Sequence, residues 1–269
     1  MGIVSLAALT VLDAGPVGQI EAAHEAGFTH VGLRLQPLVA GDRVIVGDAD
    51  AERAVSEALA RTGMGVLEIG VFPIRPQTLP ESFGPTLAFS HRIGARYIVC
   101  PVEDADPARR AQTLQSLADL AETCALDVLI EFNPYSACRT LAEAADLARA
   151  VDRPNVKLLV DVLHLSRSGG SPDDLRAYDA SLIPLVHFCD APPPPAQGRT
   201  LDELRTESRT ARFLPGEGSL WLGELLAVIG PDTAISVEAP SVAHAHLPAA
   251  ERARHALVAT RRVLARMAP

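Results

Sequence analysis

Short apolar runs of strand character alternate with amphipathic stretches along the whole chain. The runs fall at 3–8, 30–35, 66–71, 97–101, 128–132, 157–161, 185–189 and 234–238, and they are bounded by turn residues, as strands are. Between them, 51–61, 108–124, 141–151 and 220–229 carry apolar residues at i, i+3, i+4 spacing, the period of a half-buried helix. Gly27, Gly63 and Gly94 each close a helix-like run just ahead of a strand, where a left-handed C-cap is expected. Eight strand–helix units of roughly 30 residues predict an α/β chain, a single (β/α)8 barrel over 1–269. A doubly wound open sheet is the alternative, but none of the strands is followed by a Gly-rich dinucleotide fingerprint. One connection breaks the rhythm. Segment 190–219 holds APPPPAQG, the charged LDELRTESRTAR and FLPGEGS, and it is expected to be a long loop on the catalytic face, a candidate lid or substrate clamp.

Composition narrows the function classes. At 48% hydrophobic but only 4% aromatic, the core must be aliphatic. A formal net charge of −9 and a pI near 5.4 disfavour nucleic acid and anionic membranes as partners, since both are held by basic surface. Cys100, Cys124, Cys138 and Cys189 form no CxxC pair or disulfide-type spacing, so a reducing cytoplasm is the simplest compartment. The first residues lack a basic n-region, and their apolar run is soon broken by Asp13, which reads as a strand rather than a signal peptide. No segment approaches a membrane span.

The candidate chemistry sits at strand ends. VLIEFN ends on Glu131, KLLVD on Asp161, LVHFCD carries His187 and AISVEA ends on Glu238. Alternation places Glu131 on the face of Leu129, His187 with Leu185 and Cys189, and Glu238 with Ser236 and Ala234. Three carboxylates and an imidazole converging at a barrel mouth repel one another unless a cation lies between them. An oxygen-rich set with one nitrogen suits one divalent metal ion, Mn²⁺ before Mg²⁺, Co²⁺ or Zn²⁺, with positions left for substrate oxygens. A lone strand-end carboxylate is as often structural; four at consecutive strands are not readily a coincidence.

Glu131, DVLH (161–164), VHFCD (186–190), RFLPGEG (212–218) and SVEAP (236–240) together resemble the xylose isomerase-like barrel superfamily. Its members include sugar epimerases such as tagatose 3-epimerase, hydroxypyruvate isomerase, inosose dehydratase and endonuclease IV. The resemblance implies that Glu131, Asp161, His187 and Glu238 are metal ligands. It also implies that His164 and Arg212 bind substrate, and that Glu131 and Glu238 act as acid and base on opposite sides of a substrate carbon. The structural alternatives are a salt bridge to Glu217 or another loop carboxylate for Arg212, and for His164 either a place behind the ligands, supporting them, or a helix-start position. Endonuclease IV adds histidines at earlier strand ends to hold three zinc ions. Here the third and fourth strands end EIGVF and VCPVED, so DNA repair is rejected.

Other residues carry less. Arg34 shares strand parity with Gly32 and Gln36 and is a candidate substrate-binding cation, with an interior ion pair to Glu68 as its alternative; Glu68 itself reads as structural. Asn133 and Tyr135 follow Glu131 and are candidate pocket groups, and Asp190 is a candidate orienter of a ligand. His244 and His246 read as surface residues, and Cys189 as core. The expectation is a metal-dependent isomerase or epimerase of a small polyhydroxylated carbonyl compound, working through an enediolate. A dehydratase of a keto-polyol or cyclic keto acid is the alternative, and a barrel that only binds a metabolite is a third. The partner is a small molecule; a homo-oligomer is compatible with the resemblance.

Overall fold

The structure, a computed structural model, describes residues 2–37 and 44–267. Eight parallel strands close into a barrel in sequence order, with β1 completing the ring against β8. They are β1 Val4–Leu6, β2 His30–Arg34, β3 Gly65–Gly70, β4 Tyr97–Pro101, β5 Asp127–Glu131, β6 Val156–Asp161, β7 Leu185–Phe188 and β8 Ala234–Val237. Each lies within a few residues of an apolar run in the sequence. The surrounding helices are α1 Gly15–Ala26, α2 Ala49–Thr62, α3 Gly84–Arg92, α4 Pro107–Glu122, α5 Leu141–Val151, α6 Val162–Arg167, α7 Leu201–Thr210, α8 Leu222–Val228 and α9 Ala249–Met267.

Local sequence sets the helix starts. Asp48 accepts from the Asp50 and Ala51 amides, Asp106 from Ala108 and Arg109, and Thr140 from Glu143, each satisfying amides that the first helical turn leaves without partners. Gly27 and Gly63 stop α1 and α2 in the left-handed conformation, at φ 92° and 67°, as their positions predict. Leu, Val, Ile and Ala fill most of the space between strands and helices, joined by Phe28, Phe72, Phe89, Phe132 and Phe188, so the core is aliphatic in the main but not throughout. A smaller apolar layer closes the barrel interior: Leu67, Val99, Leu129, Leu159, Leu185 and Ala234. This layer is the floor on which the polar mouth stands.

Two features depart from the expected regularity. The long connection after β7 is not a bare loop: α7 occupies its middle. Thr200 and Glu203 form a reciprocal capping box, and that local pair of hydrogen bonds starts a helix in a stretch whose charge marks it as irregular. The second departure is in β3. Val31 pairs with Val66 and Leu33 with Ile69, so two steps along β2 match three along β3. The extra residue is a bulge, and it lets Leu67 and Glu68, adjacent in sequence, both reach the barrel interior.

Candidate metal centre and active site

Moving two residues up from the interior leucines reaches the polar layer: Leu129 to Glu131, Leu159 to Asp161, Leu185 to His187. On β8 the same face runs Ala234, Ser236, Glu238, with Ser236 paired to His187 and His187 to Asp161 across the sheet. The four side chains are thereby brought together. His187 Nδ1 lies 3.4 Å from Glu238 Oε2, 3.8 Å from Glu131 Oε1 and 4.0 Å from Asp161 Oδ2. One donor atom from each of the four residues lies within 4.8 Å of the others. Although buried, Nδ1 has no hydrogen bond of acceptable geometry. Spacings of this size are what two bonds of ~2.0–2.2 Å to a shared ion produce. A neutral ring would aim its Nδ1 lone pair into a pocket of carboxylate oxygens, a donor set suited to a cation. The residues fit a divalent metal.

Arg212 is buried beside the quartet, 1% exposed. Its Nη1 donates to Asp161 Oδ2, its Nη2 lies 3.0 Å from Glu238 Oε2, and its Nε donates to the Ser208 carbonyl at 2.7 Å. The alternative pairing of Arg212 with Glu217 is thus replaced by pairs to two members of the quartet. Asp161 also caps α6, its Oδ1 accepting from the His164 amide at 3.0 Å. His164 is buried at the start of that helix, its ring edge-on to Tyr135 with centroids 5.6 Å apart. Tyr135 shares a 2.7 Å hydrogen bond with the Ser208 hydroxyl of α7. Asn133 is buried two residues beyond Glu131, its side-chain Oδ1 without a hydrogen bond.

Electrostatics separates the two glutamates. Burial pushes Glu131 up to about 8, with His187 pulling against it. Burial also raises Glu238, but there the charges of His187 and Arg212 win and hold it below the ordinary carboxylate range. Asp161 is likewise lowered: burial opposes, and Arg212 followed by His164 outweighs it. Burial lowers His187, yet the carboxylates of Glu238 and Glu68 overcome this and hold it well above its usual value. Burial takes His164 down to about 4 against the pull of Asp161, leaving a neutral imidazole at the mouth.

Several expectations change in place or in partner. Arg34 ends β2 and lines a cleft with Leu12, Gln19, Gln36 and Ile45, none of them in the quartet. Glu68, expected to be structural or paired with Arg34, instead turns its Oε1 to His187 Nε2 at 3.3 Å and to the Ser236 hydroxyl at 2.7 Å. The signals for it are a carboxylate inside the apolar run VLEIGVF and a glycine, Gly32, on the neighbouring strand. Asp190 does not reach a quartet residue: its carboxylate accepts from the amides of Ala191, Gly216 and Leu220 at 2.8–3.0 Å, folding FLPGEG back on the end of β7. Cys189 is fully buried, as expected. His244 packs on His255, and among the described residues neither His244 nor His246 belongs to a metal-type cluster.

An eight-stranded parallel barrel with four ligand-type side chains at the ends of β5 to β8 defines a class: a (β/α)8 barrel with a polar site at its C-terminal mouth. The chain belongs to the xylose isomerase-like TIM barrel family, whose model matches residues 20–263. It is 30% identical over 130 residues to an inosose isomerase of Halalkalibacterium halodurans, covering 46% of this chain and 43% of that protein. It is 31% identical over 133 residues to an inosose isomerase of Bacillus velezensis, covering 48% and 45%. The matched segment spans less than half the length of these curated relatives. Among solved structures, a zinc-bound IolI protein superposes with a TM-score of 0.81 at 20% identity over 99% of both chains, a likeness of fold. Among the described residues, no helix is long and apolar enough to cross a membrane.

Proposed function

We propose that this protein is a metal-dependent isomerase or epimerase of a small sugar or other polyhydroxylated carbonyl compound, moving a proton through an enediolate. The observation that carries the reading is His187 Nδ1, buried, without a hydrogen bond and ringed by the carboxylates of Glu131, Asp161 and Glu238. These four residues would hold one divalent ion, Mn²⁺ first among Mg²⁺, Co²⁺ and Zn²⁺. When bound, the ion supplies Lewis-acid stabilisation of negative charge developing on substrate oxygens.

The protein's own groups do the rest. Glu131 and Glu238 are assigned to the proton transfers beside the carbonyl: an ionised carboxylate accepts the proton, and a carboxyl so protonated returns one. They come from separate strands and can address opposite faces of one carbon. His164 and Arg212, together with Asn133, are assigned to substrate oxygens at the mouth. Arg34, off to the side, is assigned to the far end of a substrate. Segment 190–219, with α7 leaning on Tyr135, is assigned to covering the site and excluding water.

Cyclic keto-polyols of the inosose type are the first substrates to offer, because the sequence relatives are inosose isomerases. A dehydratase is the second reading, favoured by the fold similarity to a probable 3-DHS dehydratase from Bacillus anthracis, at a TM-score of 0.70 and 19% identity. Both reactions begin by removing a proton α to a carbonyl. Incubation of the metal-loaded protein with keto-polyols in D₂O tests the proposal: deuterium at the carbon beside the carbonyl with retained mass balance supports isomerisation, and an unsaturated product supports dehydration. No exchange in any keto-polyol, with metal bound, would overturn both.

A further inference from the structure

In the barrel half opposite the quartet, β3 sends a buried carboxylate into the interior, that of Glu68. We infer that Glu68 is a positioning residue, which holds His187 as the tautomer that offers Nδ1 to the metal. The inference rests on the metal-binding reading above and adds to it a residue from outside the ligand set.

The geometry is specific. Glu68 is 3% exposed, and its Oε1 receives both the His187 Nε2 contact at 3.3 Å and the Ser236 hydroxyl at 2.7 Å. Its Oε2 is buried and has no hydrogen-bond partner. A buried carboxylate with half its hydrogen-bonding capacity unmet is costly, so packing gives no reason for it here. Hydrogen bonding to one imidazole nitrogen decides where the other nitrogen's lone pair points. With its proton on Nε2 shared with Glu68, His187 presents the Nδ1 lone pair to Glu131, Asp161 and Glu238.

Two backbone devices admit Glu68 to this place. The bulge in β3 turns it inward where strict alternation from Leu67 would turn it out. Gly32 of β2 leaves the room it needs: a Cβ there would lie 2.6 Å from Glu68 Oε1 and 3.0 Å from its Cγ. The backbone of Gly32 lies outside the left-handed region, so the site uses its missing side chain rather than its conformational freedom.

The test compares wild type with Glu68→Gln, which keeps the shape and weakens the acceptor, and with Gly32→Ala, which displaces an unaltered Glu68. Zn²⁺ and Co²⁺ affinities are measured by competition with a chelator. The ¹⁵N and ¹H signals of the His187 ring are read in the Zn²⁺-loaded protein, and the visible d–d spectrum in the Co²⁺-loaded one. Expected is a loss of about 10–100-fold in metal affinity in both variants, with a shifted or fast-exchanging Nε2–H signal and an altered Co²⁺ spectrum. A role confined to stability would lower the melting temperature and leave these signals in place. Wild-type affinity with an unchanged Nε2–H signal in Glu68→Gln would overturn the inference alone; a wild-type protein that takes up no metal would overturn the metal reading and this inference together.

Discussion

The two halves of the barrel treat the same space differently. Strands β5 to β8 each deliver one ligand-type side chain at or just past the end, on the face set by the leucine or alanine below it. Strands β1 to β4 offer Ser5, whose buried hydroxyl has no partner, Gly32, the apolar Val99, and Glu68. One half supplies the donors and the other a wall with a single prop. The contrast teaches that convergence of charge needs only regular alternation, whereas support from behind required alternation to be broken.

The largest effect should come from cutting the ion pairs inside the donor half. Arg212→Leu leaves Asp161 and Glu238 without their guanidinium, and breaking a buried pair costs about 3–5 kcal/mol. Denaturant unfolding of the metal-free protein should show that loss, and added metal should recover part of it; an unchanged midpoint would mean Arg212 is not what balances the site. Next, Glu131→Gln and Glu238→Gln, assayed singly with metal present, should each slow proton exchange by about 10²–10⁴-fold. Equal slowing by a polar change at Ser5 would erase the distinction between halves.

Acidity sharpens the comparison further. Metal-free Glu131, pushed up to about 8, carries its proton across neutral pH, and so does His187, raised by Glu238 and Glu68 against burial. A bound cation needs both deprotonated, so apparent metal affinity should climb as pH rises toward 8. Calorimetry at pH 6.5 in two buffers of different ionisation enthalpy should record release of about one to two protons per ion. For folding, the sign follows from a carboxyl raised above its unfolded value: the contribution of Glu131 is complete below the ordinary carboxylate pKa and is lost as pH rises through about 8. Metal-free protein should therefore lose that contribution between mildly acidic and alkaline pH, and metal-loaded protein should not. The smallest effect is Ser5→Ala: deleting an unpaired buried hydroxyl should leave stability unchanged or raise it by up to about 1 kcal/mol, with metal affinity as in wild type.

Much of this is legible in the sequence, for a physical reason. Parallel strands buried on both faces read as apolar runs, and a carboxylate or imidazole that ends such a run, two residues past a leucine, has one place to point. Glu131, Asp161 and His187 obey that rule, and Glu238 follows the same alternation from Ala234 and Ser236. Glu68 does not, because its inward direction comes from a bulge whose existence depends on the pairing of β2 with β3. Helix α7 is hidden by its own polarity: only Glu207 and Ser208 of its ten residues are buried. Its hold on the barrel comes from Arg167, which grips Glu207 with two hydrogen bonds of 2.7 and 2.9 Å, and from Tyr135 and Arg212, which bond Ser208. Asp190 follows His187 so closely that it reads as a candidate for the metal site, yet it gathers loop amides instead.

The bulge in β3 also changes what kind of alteration this strand can absorb. Along β5 to β8 information is written in residue identity, and a substitution scan would read it. Along β3 it is written in length. Removing the one surplus residue would leave every side chain chemically intact and still rotate the strand's upper portion by one register, exchanging inside for outside. A chain of nearly identical composition would then keep its four donors and lose the partner that fixes how one of them faces.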